Sequence, residues 1–295
     1  MILVVIIYYK NEKTMIVNLI KKTKFYKFLR FYKSRRVYEG KTSLNILKKF
    51  PLFEAHGYGL YPIRAKLTIQ SINQVVPALS NFSYETAENL KFYEEINNYL
   101  TSDIKRTTLG DLFTHYGSDK ATAHNYHLVY NGILSKIDSP KKILEIGLGT
   151  NNTDIVSTMG KNGRPGASLR AFRDFSTKAK IYGADFDERV LFDENRIKTF
   201  FVDQTSESTL IHLGKQVGKD FDLMIDDGLH SPNANLHSLY FFMSHLRIGG
   251  YAVIEDINPL TENLWKVVSS LIEPNFKSAF ISTKASSIYV VQRNR

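Results

Sequence analysis

The residues with the greatest capacity for chemistry fall in two short segments, IDDGLH and VIEDI, which together hold Asp226, Asp227, His230, Glu255 and Asp256. If these segments meet, four carboxylates and an imidazole share one site. So many like charges repel strongly and raise each other's pKa. A hard divalent cation with oxygen ligands resolves the conflict, and carboxylates with open water positions suit Mg2+. The competing reading is that some of these residues cap helices or face solvent and His230 is an ordinary loop histidine.

A second set of polar residues closes earlier apolar runs. Glu145, Gly147 and Gly149 form E-x-G-x-G at the end of KKILEIGLG. Glycine at such a turn lets backbone amides approach a ligand closely, although many such turns serve only tight packing. Asp185 closes KIYGADFD, 38 residues beyond the first glycine, where a carboxylate can accept hydrogen bonds from two ribose hydroxyls. Asp203 and Gln204 close IKTFFVDQ and suit an adenine amino group. Asp185 or Asp203 taken alone reads equally as a helix cap; in strand order they favour a nucleoside ligand, with Asp226 added to that side. A dinucleotide fingerprint needs a third glycine, and Thr150, Asn151 and Asn152 follow Gly149 instead. NAD is therefore the less favoured cofactor, and E-x-G-x-G matches class I S-adenosylmethionine-dependent methyltransferases.

The elements that position these residues follow from the same segments. Five short apolar runs, each ending in a polar cluster and separated by helical stretches, predict a doubly wound, mostly parallel α/β sheet. SAFISTK and SSIYVVQR add an antiparallel hairpin, giving seven strands. Ligands of such sheets bind outside the carboxyl ends of the strands, where all the named residues lie. Ahead of the sheet, helices are expected from Thr86 (Leu90, Tyr93, Ile96, Leu100) and from His124 to Ile137. The expected division is a basic extension and connector over 1–85, a helical cap over 86–138 and a catalytic domain over 139–295.

Composition narrows the function classes. The 295 residues are 43% hydrophobic, enough for a real core, and the absence of cysteine excludes disulfide scaffolds, thiolate metal sites and cysteine nucleophiles. No apolar run reaches the 18 or so residues of a spanning helix, which speaks against an integral membrane protein. The net charge of +10 is unevenly placed: residues 1–50 hold 13 Lys and Arg against Glu12 and Glu39, a net of +11, leaving the remainder near −1. Positive charge confined to one end disfavours a nucleic-acid partner. Ile16, Leu19, Ile20, Thr23, Tyr26 and Leu29 recur at helical spacing in that segment, as in a basic amphipathic helix that could lie on an anionic membrane or an acidic partner, or cover its own fold. The opening MILVVIIYYK resembles neither a signal peptide nor a transit peptide, and Met15 is an alternative start. The expected location is the cytoplasm, with peripheral contact at the inner face of a membrane; a homo-oligomer is compatible with this reading.

Over residues 109–257 the chain resembles the metal-dependent sugar O-methyltransferases of the macrocin and mycinamicin type, through LGDLFTHYGSDK with a following H-x-Y (His124, Asn125, Tyr126), ILEIGLG, PGASLRAF, IYGADFD, RIKTFFVDQ, IDDGLH and GGYAVIEDI. The resemblance implies a Rossmann-like methyltransferase fold, S-adenosyl-L-methionine and Mg2+ as cofactors, Asp227, Glu255 and Asp256 as metal ligands, His230 as general base and a sugar or glycan acceptor. It departs from the family at Leu229, where serine is usual, and at Ala121, where glycine often stands. A catechol would satisfy the same chelating geometry. A catalytically silent nucleoside-binding domain targeted by its basic end is the reading of a different class, opposed by the intact Asp227, His230, Glu255 and Asp256.

Overall fold

The computed structural model describes residues 75–81, 83–104, 106–155, 157–272 and 274–294. The basic amphipathic helix expected within 1–50 lies outside the described residues. Ser80–Arg295 form one compact unit, to which the following description is confined.

Eight strands make a single sheet: β1 (Lys142–Ile146), β2 (Lys180–Asp185), β3 (Asp193–Glu194), β4 (Ile197–Phe201), β5 (Phe221–Asp226), β6 (Leu246–Ile257), β7 (Phe276–Ser282) and β8 (Ser287–Arg293). Their order is β3-β4-β2-β1-β5-β6-β8-β7. The run from β4 to β6 is parallel, while β8 is antiparallel to both β6 and β7. The doubly wound fold and the terminal hairpin are as expected. The eighth strand is β3, two residues that pair antiparallel with β4 and are too short to show a period.

The central strands are largely apolar, and β5 is buried along its whole length, because both faces are covered, whereas β4 near the sheet edge keeps Lys198 and Phe201 exposed. Alternate residues enter different cores: Ile143, Ile181, Leu223, Ile225 and Val253 face one, while Leu144, Ala184, Met224, Ala252 and Ile254 face the other. The first core is roofed by α1 (Ala87–Thr101), α2 (Thr108–Tyr116), α3 (Tyr126–Ser135) and α4 (Ala167–Phe175), which contribute Phe92, Phe113, Tyr130 and Phe172. The second is roofed by α5 (Glu207–Val217), α6 (Pro232–His245) and α7 (Glu262–Leu271), through Leu213, Phe242 and Trp265. Each such side chain fully buried contributes about 1.5–3 kcal/mol.

Helix ends follow local chemistry. Thr86 caps α1 by accepting from the Asn89 amide, and Thr107 caps α2 by accepting from that of Gly110. Gly117 ends α2 in the left-handed region at φ 84°, and Asn125 opens α3 there at φ 56°. The segment between them is thereby turned in toward the carboxyl ends of β5 and β6. Among the described residues no helix is long and apolar enough to cross a membrane.

Candidate active site

The chain leaves β1 for β2 and β4 on one side of the sheet, then returns to β5 and β6 on the other, so a crevice opens beyond β1 and β5. Backbone hydrogen bonds lace its floor: the Gly147 amide donates to Ala184 O and the Asp227 amide to Ile146 O, both at 2.8 Å. Gly147 sits at φ 95°, and a Cβ there would stand 2.0 Å from the Asp227 carbonyl oxygen. Its glycine is thus required by the meeting of two loops, whatever ligand lies above.

On the β2 and β4 side the crevice is a largely apolar cavity of about 390 Å3, with Gly149, Ile155, Asp185, Phe186, Val202 and Leu229 on its wall. Asp185 is buried, and its carboxylate accepts from the Leu148 and Asp187 amides, each at 2.8 Å. Burial nevertheless raises its pKa above the usual carboxylate value. The carboxylate also borders the cavity, where it can accept from a ligand hydroxyl. Asp187 fastens the same loop by accepting from Thr150 Oγ1 and Asn152 Nδ2; the Arg189 guanidinium holds it below the carboxylate range.

The other residues expected to touch a cofactor are placed differently. Asp203 lines the cavity, and its Oδ1 accepts from the Thr205 amide and hydroxyl, closing the turn into α5. Gln204 reaches the wall with its amide already committed: Nε2 donates to Asp226 Oδ1 (2.6 Å) and Ser238 Oγ (2.8 Å), and Oε1 accepts from the Leu229 amide (2.8 Å). Asp226 stands behind the wall, fully buried, accepting also from the Gly228 amide and Asn235 Nδ2. Expected as a cofactor contact and a member of the carboxylate crowd, Asp226 lines neither cavity. Asp226 is the last residue of β5 and Asp227 the first beyond it, and of the two only Asp227 lines the crevice. Glu145 is likewise enclosed, accepting from Ser168 Oγ at 2.6 Å.

On the β5 and β6 side lies a polar cavity of about 380 Å3 that shares Gly147, Gly149, Ser157 and Asp227 with the first. One ligand atom each from Asp227, His230 and Asp256 lie within 4.8 Å of one another. His230 Nε2 is 3.9 Å from Asp227 Oδ1 and 4.0 Å from Asp256 Oδ2, while its buried Nδ1 makes no hydrogen bond. Both His230 (φ 56°) and Asp256 (φ 51°) occupy the left-handed region, at a cost of about 1–3 kcal/mol each. Asp256 lies where the pairing of β6 with β8 shifts register, between Ile254 and Ile257. Burial opposes charge on Asp256, but a hydrogen bond from Tyr126 (2.5 Å) and the nearby His124 and His230 outweigh it and keep its pKa low. His124 Nδ1 lies 3.3 Å from Asp256 Oδ1.

Glu255, expected as a metal ligand, borders the same polar cavity but is buried, with both oxygens engaged by side chains. Oε1 accepts from the Tyr130 hydroxyl and Oε2 from Lys120 Nζ at 2.5 Å, and burial pushes its pKa well above normal. Lys120, Tyr126 and Tyr130 took no part in the expected site. The two tyrosines were findable, since a spacing of four on α3 puts both hydroxyls on one helix face.

No family model matches the chain. Relatives of known activity include the demethylmacrocin O-methyltransferase of Streptomyces fradiae, 37% identical over 92 residues (31% of this chain, 23% of the relative). The mycinamicin VI 2''-O-methyltransferase of Micromonospora griseorubida is 38% identical over 93 residues, again 31% and 23%. A rhamnosyl tetracenomycin-C 2'-O-methyltransferase of Streptomyces olivaceus is 26% identical over 186 residues, 63% of this chain and 44% of that one. The chain thus matches less than half the length of these relatives. The structure of the MycE methyltransferase in complex with Mg, SAH and mycinamycin VI aligns with a TM-score of 0.52 at 24% identity, over 64% of this chain and 55% of that one. The fold is that of a Rossmann-like methyltransferase, and the chain is similar in sequence to macrocin- and mycinamicin-type sugar O-methyltransferases.

Proposed function

We propose that this protein transfers a methyl group from S-adenosyl-L-methionine to a hydroxyl of a sugar, with Mg2+ at the acceptor side. The observation that carries the reading is the pair of cavities meeting at Gly147 and Asp227: one apolar and ending on Asp185, the other holding Asp227, His230 and Asp256. The named relatives, O-methyltransferases of demethylmacrocin, mycinamicin VI and a rhamnosyl tetracenomycin-C, support it. Asp185 would accept from the ribose hydroxyls while Val202 and Leu229 enclose the base. Vicinal hydroxyls of a sugar would face Asp227 and Asp256.

The donor set fits a hard divalent ion, since a carboxylate oxygen of Asp227 and one of Asp256 lie within 4.8 Å of each other at the polar cavity. Mg2+, when bound, supplies a positive charge that favours loss of the acceptor hydroxyl's proton. His230 Nε2, on the same edge, would take that proton as the oxygen attacks the methyl carbon; the new C–O bond forms as the S–C bond breaks and the proton stays on His230. General-base catalysis of this kind contributes about 10²- to 10⁴-fold. The seam shared by the cavities would bring the oxygen and the methyl carbon into line. A surface polysaccharide, a glycolipid or a glycosylated metabolite would supply such an acceptor, and the +11 charge of residues 1–50 would favour peripheral contact with an anionic membrane.

Mass spectrometry of glycans and glycosylated metabolites from cells with the wild-type protein and with His230→Ala tests the reading. A species heavier by one CH2 on a sugar, present only with the wild type, is expected. Identical profiles, or the increment on a base or protein, would overturn it.

A further inference from the structure

Lys120 lies in the interior, 2% exposed, where a lysine persists only if its charge is matched. Its Nζ is 2.5 Å from Glu255 Oε2, 2.6 Å from Asp227 Oδ2 and 3.2 Å from Glu145 Oε1. Three carboxylate oxygens within 3.2 Å of the ammonium group offset the cost of burying it. The segment that brings it there runs between the left-handed turns at Gly117 and Asn125, and the Lys120 carbonyl accepts from the His127 amide.

The remaining oxygens are also accounted for. Glu255 Oε1 accepts from Tyr130 and Glu145 Oε2 from Ser168. What points outward is Asp227 Oδ1, with Asp256 Oδ2 and His230 Nε2 beside it. We propose that Lys120 is the resident counter-cation of the carboxylate cluster, a positioning residue that holds Glu145, Asp227 and Glu255 without an ion and leaves the Asp227–Asp256 edge to receive the divalent metal. The second half rests on the metal reading above; the first does not. It follows that the protein folds before it is loaded, and that the ion exchanges on an edge with two carboxylates and room for water and acceptor hydroxyls.

The test is thermal unfolding of the full chain in EDTA and in millimolar Mn2+, with Mn2+ binding followed by electron paramagnetic resonance. Wild type should change its midpoint by only about 3 °C between the two conditions, as mass action on a weak site requires. Lys120→Met, which leaves the buried Glu145 and Glu255 and the partly exposed Asp227 without their cation, should unfold about 10 °C lower in EDTA and recover much of the loss in Mn2+. Adding Glu255→Gln to Lys120→Met should recover part of it with no metal at all. If Lys120→Met does not fold, the double variant against wild type gives the same reading. In the wild-type background Glu255→Gln should keep Mn2+ affinity within about 2-fold while Asp256→Asn loses about 10-fold or more. Wild type that collapses in EDTA, or a Lys120→Met loss relieved by neither Mn2+ nor Glu255→Gln, would overturn the counter-cation. Loss of Mn2+ binding in Glu255→Gln would overturn the outer-edge assignment. Should Mn2+ bind neither wild type nor variants, the metal reading fails by itself, and rescue by Glu255→Gln still decides the role of Lys120.

Discussion

The two sides of the crevice hold their carboxylates by different means. Beyond β2, Asp185 is fixed by two backbone amides, and Asp187 ties down the neighbouring loop. Beyond β5 and β6, Asp227, Glu255 and Asp256 are fixed by side chains carried on α3 and the segment before it, namely Lys120, Tyr126 and Tyr130. A backbone-held carboxylate belongs to the sheet and keeps its place when neighbouring side chains change. A side-chain-held cluster depends on charge balance, and its geometry responds to each partner. The first arrangement suits a fixed nucleoside grip; the second suits a site where protons and ions come and go.

The largest effect that would sharpen this contrast is expected at His230. His230→Ala should cut methyl transfer by about 10²-fold or more while leaving cofactor affinity within about 2-fold, with no recovery in excess Mg2+. Single-turnover assays together with calorimetry measure both. A loss of cofactor affinity equal to the loss of turnover would erase the distinction between the two sides.

Gln204 tests whether the sides are mechanically joined, because its amide ties Asp226 to the loop that carries Asp227 and His230. Gln204→Ala removes one of the two hydrogen bonds to the buried Asp226 Oδ1 and strands the Leu229 amide, and should destabilise the fold by about 1–3 kcal/mol in urea unfolding. Cofactor affinity and turnover should fall together. Unchanged stability would mean that water replaces the amide and that the loop stands without this brace.

The smallest effect lies away from the crevice. His245, at the end of α6, has its pKa lowered from 6.5, first by burial and then, in part, by Lys219. The unfolded chain therefore takes up this proton more readily than the folded one, and stability falls as pH drops from about 6.5 toward the lowered value. His245→Gln should flatten that part of the stability curve and leave the crevice untouched. An unchanged slope would place the acid sensitivity elsewhere, in the carboxylate cluster among other groups.

The sheet was legible in the sequence because every parallel strand is an apolar run closed by a polar residue, and both features follow from burial on two faces. β3 was not, since two residues carry no period. The strand-end acids were legible as a group, since topology alone gathers them at one edge of the sheet. Which of two neighbours faces the crevice was not. Asp226 and Asp227 are chemically identical, and only the register of β5 against β1 and β6 turns one inward. Lys120 was hidden for another reason: its partners Asp227 and Glu255 lie 107 and 135 residues away, and nothing local to SDK marks a lysine for burial. The pattern predicted a carboxylate crowd in need of a cation, and for its inner members that cation is a side chain of the same chain.

The division of labour is tested most directly by calorimetric titration of S-adenosylhomocysteine into wild type, Asp185→Ala and Asp256→Asn. Wild type should bind it and not NAD. Asp185→Ala should weaken binding by about 10-fold or more, as expected when a charged acceptor of ribose hydroxyls is lost, and Asp256→Asn should bind as wild type does. Equal affinity in Asp185→Ala and wild type, or an equal loss in both variants, would contradict the assignment of one cavity to the nucleoside and the other to the acceptor.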